Sequence, residues 1–156
     1  MRLTHKFERD QQSPWIGPAL LFAFGLLWLV REYAVTPIQI VGRSMFPTFH
    51  EGQLAVVNRL AYRVRAPRRG DIVVVKTRNE LMIKRIVGLP GEEMDILDGV
   101  VRVNGCPLEE DYVRLRDHGN VKAGILGPDN YLVIGDNRAG TALAVIHARR
   151  LLGRVL

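Results

Sequence analysis

A chain of 156 residues with 22 Lys and Arg against 16 Asp and Glu carries a formal net charge of +6, which suits an anionic partner, either nucleic acid or the surface of a membrane. Cys106 is the single cysteine, so an intramolecular disulfide and a multi-cysteine zinc site are both excluded. The length leaves room for one compact core once the apolar N-terminal stretch is set aside.

Residues 1–14 are polar, mixed in charge and end at Ser13-Pro14, which reads as a short tail. Trp15 to Val30 follows as WIGPALLFAFGLLWLV, sixteen residues without a charge, extendable to Val35 if Arg31 and Glu32 reach the interface with their polar ends. A spanning helix needs about 20 apolar residues, with a lower limit near 17, so residues 15–35 are read as a transmembrane anchor. Trp15, Trp28 and Tyr33 near its ends suit the headgroup region, and Pro18 falls in the first turn, where a missing N–H is harmless. A core helix this apolar on all sides would need a larger protein around it. A cleaved secretory signal would be followed by small residues, and Arg31-Glu32-Tyr33 stands there instead. Arg2, Lys6 and Arg9 before the span, against Arg31 and Arg43 after it, favour a cytoplasmic N-terminus and an outward-facing remainder.

From residue 36 to 156 the pattern changes to short β-type runs. Gln53–Val57, Asp71–Lys76, Leu81–Val87, Met94–Leu97, Val100–Val103 and Tyr131–Ile134 are rich in Val and Ile and predict strands. Asp98-Gly99 predicts a two-residue hairpin turn, because both residues tolerate the positive φ of a primed turn, and Asn104-Gly105 marks the next turn. The fold class is all-β and mostly antiparallel, with one short helix expected near His147–Leu152 and no internal repeat. Arg59, Arg63, Arg65, Arg68 and Arg69 form a basic patch around Tyr62. It lacks zinc ligands, a helix-turn-helix pattern and the aromatic ribonucleoprotein signature, so a solvated or headgroup-facing loop is preferred to a nucleic-acid surface. Arg69-Gly70-Asp71 reads as a turn into a strand.

Two residues carry the chemistry. Ser44 lies two residues after Gly42 and three before Pro47, which holds a hydroxyl at a bend; a serine satisfying its own backbone in a turn would have the same pattern. Lys84, in Leu-Met-Ile-Lys-Arg-Ile-Val, would share a strand face with Met82 and Ile86, with Ile83 and Arg85 opposite. A lysine serves as a general base only when neutral, and lowering its pKa from about 10.4 to near 8 takes roughly 3 kcal/mol, which desolvation can supply. A snorkelling lysine on a strand edge is the alternative.

The ordered series Gly42-x-Ser44-Met45-x-Pro47-Thr48, Arg69-Gly70-Asp71, Lys84-Arg85-Ile86-Val87-Gly88-Leu89-Pro90-Gly91, Asn104-Gly105 and Gly135-Asp136-Asn137-Arg138 resembles the boxes of type I signal peptidases, from the anchor to the C-terminus. The resemblance implies a membrane-bound serine endopeptidase of the cell membrane, with Ser44 as nucleophile and Lys84 as its general base and later the acid for the leaving amine. It also implies an oxyanion site at the Ser44 backbone N–H, with Gly42 where some relatives carry a serine hydroxyl. Supporting roles fall to Thr141, Asp136, Asn137 and Arg138, and shallow substrate pockets form near Ile40, Met45, Met82 and Ile83. The implied partners are exported preproteins cut after a small-x-small pattern, and membrane lipid, with no nucleic acid. No metal or organic cofactor is implied, and His5, His50, His118 and His147 show no ligand spacing.

The segment after Arg138 departs from the family pattern. Thr141 keeps a hydroxyl where the usual serine meets the lysine amine, but Leu143 and Val145 stand where an Asp and an Arg form a supporting ion pair. A specialised processing peptidase, or a homologue that binds exported chains without cutting them, is therefore the alternative reading.

Overall fold

The computed structural model describes residues 15–78, 80–114, 119–139 and 142–156. The chain divides into two units, Met1–Tyr33 and Ala34–Leu156. The first carries helix α1 (Ile16–Ala34). Its consecutive side chains Leu20, Leu21 and Phe22 are 65%, 76% and 75% exposed, and since successive helical residues point about 100° apart, more than one face is apolar and uncovered. Among the described residues no helix is long and apolar enough to cross a membrane.

The second unit is a mostly antiparallel β structure, as the sequence predicts. In chain order it has β1 (Val35–Gln39), β2 (Leu54–Asn58), the single-turn helix α2 (Ala61–Val64), β3 (Ile72–Lys76), β4 (Leu81–Gly88), β5 (Glu93–Leu97), β6 (Val100–Val103), β7 (Cys106–Pro107), β8 (Val121–Ile125), β9 (Asn130–Ile134), β10 (Ala144–His147), a 3-10 turn (Ala148–Arg150) and β11 (Leu151–Val155). A seven-stranded sheet runs β1-β2-β11-β3-β4-β9-β10, and a four-stranded sheet runs β7-β6-β5-β8. The smaller sheet is inserted in the chain between β4 and β9.

Period-two alternation explains the layers. Val73 and Val75 of β3 join Ile86, Tyr131, Val133 and Ile146 in one core, while Val74 points the other way, to Ile40, Ala55, Val57 and Val155. On β9, Leu132 and Ile134 face a third core that holds Val87, Met94, Val101 and Leu126, across from Tyr131 and Val133. These strands are buried on both faces, which is why their sequences read as continuous apolar runs.

The turn expectations hold where the chemistry is local. Asp98 and Gly99 adopt φ of 50° and 75° and close β5 onto β6, and Asn104 and Gly105 adopt 51° and 80° and close β6 onto β7. The helix expected at His147–Leu152 is corrected: only Ala148–Arg150 turn, with the Arg149 N–H donating to His147 Nδ1 at 3.2 Å, and Leu151 and Leu152 enter β11. Pairing with β2 and β3 overrides the local propensity. Val35, read as the end of the anchor, opens β1, paired with Asn58.

β11 passes close to its neighbour at Gly153. A Cβ there would lie 2.5 Å from the Asn58 carbonyl oxygen and 2.8 Å from Val57 Cγ1. Gly153→Ala is expected to destabilise the second unit by roughly 1–3 kcal/mol, since the backbone of β2 must shift to admit a methyl group. Urea unfolding of the two proteins side by side measures it.

Candidate active site

The loop that follows β1 leaves and returns at one point. The Ile40 N–H donates to the Gln53 carbonyl and the Gly52 N–H to the Ile40 carbonyl, both at 2.8 Å. Within the loop, Gly42 takes φ +83°, and a Cβ there would meet nothing within 4 Å. The glycine is required by its left-handed backbone rather than by crowding. After it the chain coils: the Phe46 N–H donates to the Arg43 carbonyl at 3.1 Å and the Phe49 N–H to the Met45 carbonyl at 2.9 Å. Met45, only 2% exposed, pins the coil to the core, and Ser44 just before it is half-buried.

Asn137 clamps this coil from the other end of the chain. Its N–H donates to the Ser44 carbonyl at 3.1 Å, and its side-chain amide donates to the Arg43 carbonyl at 3.2 Å. Among the described residues, the Ser44 N–H donates to no protein acceptor.

Lys84 sits in the middle of β4, opposite Val73 of β3, and is 8% exposed. Burial pushes its amine below the ordinary lysine value, and the negative charge of Glu80 opposes this in part. Ser44 and Lys84 line one cleft of about 530 Å³, together with Ile40, Gly42, Met45, Met82 and Ile83. Two segments form its walls, Ile38–Met45 and Glu80–Lys84, with Val74 between them. Among the described residues no hydrogen bond joins Ser44 Oγ and Lys84 Nζ; such bonds are often long in a site without substrate.

The remaining expected site residues separate into two groups. Asp136, fully buried, accepts from Arg85 Nε at 2.8 Å and Arg85 Nη2 at 2.7 Å, a bidentate pair, and from the Thr48 hydroxyl. This ties β4 and the end of the serine coil to the chain following β9. The positive charge of Arg85 faces burial, which disfavours it, and Asp136, which holds its pKa above the ordinary value. Arg138 turns elsewhere: it donates through Nη1 to Glu110 Oε2 at 2.9 Å and through Nη2 to Glu110 Oε1, with Nε on the Gly135 carbonyl at 2.9 Å. Thr141 lies outside the described residues. Leu143 packs against the core of Leu132 and Ile134, and Val145 of β10 is exposed.

Four residues of this arrangement escaped the sequence reading of the site: Thr48, Arg85, Glu110 and Tyr112, whose hydroxyl donates to Glu110 Oε1 at 2.6 Å. Arg85 had a signal, being a cation next to the candidate base in a strand with apolar neighbours; Glu110 and Tyr112, in the segment between β7 and β8, had none. The basic patch is partly consumed by structure. Arg65 pairs with Asp71 at 3.0 Å, and Arg69 donates to the Val87 carbonyl and to Glu92. Among the described residues no group of three or more His, Cys, Asp or Glu could hold a metal ion.

Comparison with known proteins gives the same direction. The chain is 35% identical over 133 residues to signal peptidase I of Leptolyngbya laminosa, covering 79% of this chain and 64% of that protein. It is 35% identical over 148 residues to a probable signal peptidase I-2 of Synechocystis, covering 86% and 66%, and 28% identical over 160 residues to signal peptidase IB of Staphylococcus aureus, covering 88% and 84%. The chain thus spans just under two thirds of the length of the first two relatives. The crystal structure of a signal peptidase I from Enterococcus faecalis has the same fold, with a TM-score of 0.52 at 24% identity, over 59% of this chain and 98% of that one. The model of the family described as signal peptidase, peptidase S26 matches residues 14–142, and the chain belongs to that family.

Proposed function

We propose that the protein is a serine endopeptidase that removes signal peptides from exported preproteins through a Ser44–Lys84 dyad. The observation that carries this is the shared cleft: a hydroxyl on a clamped coil and a buried lysine whose amine is held toward its neutral form line the same cavity. Lys84 takes the proton from Ser44 Oγ as the hydroxyl attacks the scissile carbonyl, and returns it to the leaving amine. The Ser44 N–H, without a protein acceptor among the described residues, is the donor available to the oxyanion. With glycine at position 42, no hydroxyl from that residue assists.

An extended substrate fits between Ile38–Gly42 and Glu80–Lys84, where main-chain groups give affinity and side-chain pockets give selectivity. Ile40, Met45, Met82 and Ile83 supply apolar walls, and Ile40 and Met45 are so nearly buried that they offer shallow surfaces, which suit small residues at the cut. The test is cleavage of several preproteins by the full-length protein in detergent, beside Ser44→Ala. Wild-type cleavage well above the variant is expected; equality across all preproteins would leave the non-cutting homologue as the better reading.

The same proposal includes membrane anchoring by residues 15–35, single-pass, with the β unit on the extracytoplasmic side and the tail in the cytoplasm. The 19 residues of α1 are about 28 Å long against a hydrocarbon core of roughly 30 Å. The protein is expected to stay with membranes through a high-salt wash and an alkaline wash; release by salt would point to surface charge alone.

A further inference from the structure

Lys84 makes no side-chain hydrogen bond among the described residues, and among them it is β4 that sets where its amine points. The next residue is held from several directions. Arg85 gives Nε and Nη2 to Asp136, Nη1 to the Gly70 carbonyl at 3.0 Å, and one guanidinium face to the ring of Tyr112, whose centroid lies 3.9 Å from Cζ. The in-plane bonds set the direction of the guanidinium, and the ring stops it from moving out of that plane.

Tyr112 is itself held by buried charge. Its hydroxyl donates to Glu110 Oε1 at 2.6 Å, and Glu110, 4% exposed, is gripped by the fork of Arg138, 3% exposed. Burial and the Glu110 carboxylate both push the phenol pKa up, so it remains a donor. The turn that presents them closes on itself, with the Val113 N–H on the Glu110 carbonyl at 3.1 Å, and is tied to β6 through the Leu108 N–H on the Val101 carbonyl at 2.8 Å. A single train of contacts therefore runs from Arg138 through Glu110 and Tyr112 to Arg85, the residue beside Lys84. Leu143 and Val145 carry no charge that could serve the same end.

We propose that Tyr112 is a positioning residue for the lysine of the dyad: stacked on Arg85 and braced by Glu110, it fixes the stretch of β4 that presents Lys84 to Ser44. The inference rests on the dyad reading above, and its test separates the two. Tyr112→Phe keeps the ring and loses only the hydroxyl, whereas Tyr112→Leu removes the stack; Tyr112→Met replaces it if the leucine variant does not fold. Each full-length variant is assayed in detergent for preprotein cleavage below its melting temperature. The pH midpoint at which Lys84 becomes reactive to an amine-acylating reagent is measured separately by peptide mass mapping. Glu80, the charged group that bears on Lys84, is left in place throughout.

For Tyr112→Leu, kcat is expected to fall about 10- to 100-fold with KM within about twofold, the size of effect that misplacing a reacting group produces. With β4 no longer held, solvent reaches the Lys84 amine, and its midpoint should rise by about one pH unit, a tenfold change in proton affinity. Tyr112→Phe should stay within about threefold of wild type in kcat, with the midpoint unmoved. A Tyr112→Leu midpoint equal to wild type overturns the proposal whatever happens to kcat, because the lost activity would then be a matter of general stability. A Tyr112→Phe midpoint shifted as far as that of Tyr112→Leu also overturns it. If wild type cleaves no better than Ser44→Ala, the peptidase reading falls, and the Lys84 midpoint still decides the role of Tyr112.

Discussion

Lys84→Met is expected to reduce preprotein cleavage by a factor of about 10³ or more, as loss of one member of a nucleophile–base unit does, while making the protein harder to unfold at neutral pH. The two effects have one cause. Burial holds the amine below the ordinary value of 10.5. Below its folded-state pKa the amine is charged in both states, and the folded state bears the desolvation cost. Between the folded-state value and the ordinary one, the folded amine is neutral and the unfolded amine is protonated. The unfolded state then binds more protons, and stability rises with pH across that window before levelling off. Lys84→Met is expected to remove this rise and Ser44→Ala to retain it, although the proposed dyad expects both variants to be inactive. On the proposed dyad, cleavage needs the neutral amine, so kcat/KM should climb with pH through the same folded-state value. Urea unfolding as a function of pH, together with the pH–rate profile, checks both; a kcat/KM that falls as pH rises through that range would rule out Lys84 as the base.

Breaking the Arg138–Glu110 pair should be the largest single loss of stability available in the β unit outside its apolar core. Both side chains are almost fully buried and joined by two hydrogen bonds. Among the described residues, Arg138→Leu leaves the Glu110 carboxylate buried with the Tyr112 hydroxyl alone as its side-chain partner, and Glu110→Leu leaves a guanidinium with the Gly135 carbonyl alone. Each is expected to cost about 3–5 kcal/mol, chiefly the cost of an uncompensated buried charge. The double variant Glu110→Leu/Arg138→Leu should recover most of that loss, because no charge is then left unpaired. A double-mutant cycle by urea unfolding gives the coupling. Nearly additive losses in the two single variants would mean that the pair is solvated enough to be unimportant.

Asp136–Arg85 and Glu110–Arg138 bear on how the chain manages without charges at positions 143 and 145. The sequence suggests that the lysine has lost a supporting pair there. In the folded protein, ion pairs join other parts of this region: one binds the Gly-Asp-Asn-Arg segment to β4 and to Thr48, and the other binds it to the segment ahead of β8. Leu143 is accommodated as an ordinary apolar neighbour of the Ile134 core.

The sequence by itself determined whatever depends on neighbours in the chain. The hairpin turns at Asp98-Gly99 and Asn104-Gly105 follow from residues that tolerate positive φ, and the Val- and Ile-rich runs from Ile72 to Val87 follow from strands buried on both faces. Ser44 on its bend and Lys84 among apolar neighbours were legible from residue types and order, and the family boxes brought them to notice together. Tertiary structure alone decided the rest. Leu151–Val155 became a strand because β2 and β3 lie on either side of it, and Gly153 is small because β2 passes against it. The pairings of Arg85 with Asp136, 51 residues away, and of Arg138 with Glu110, 28 residues away, leave no local pattern. A charge is buried only where folding brings its counter-charge, so the chain around it cannot announce which partner that will be.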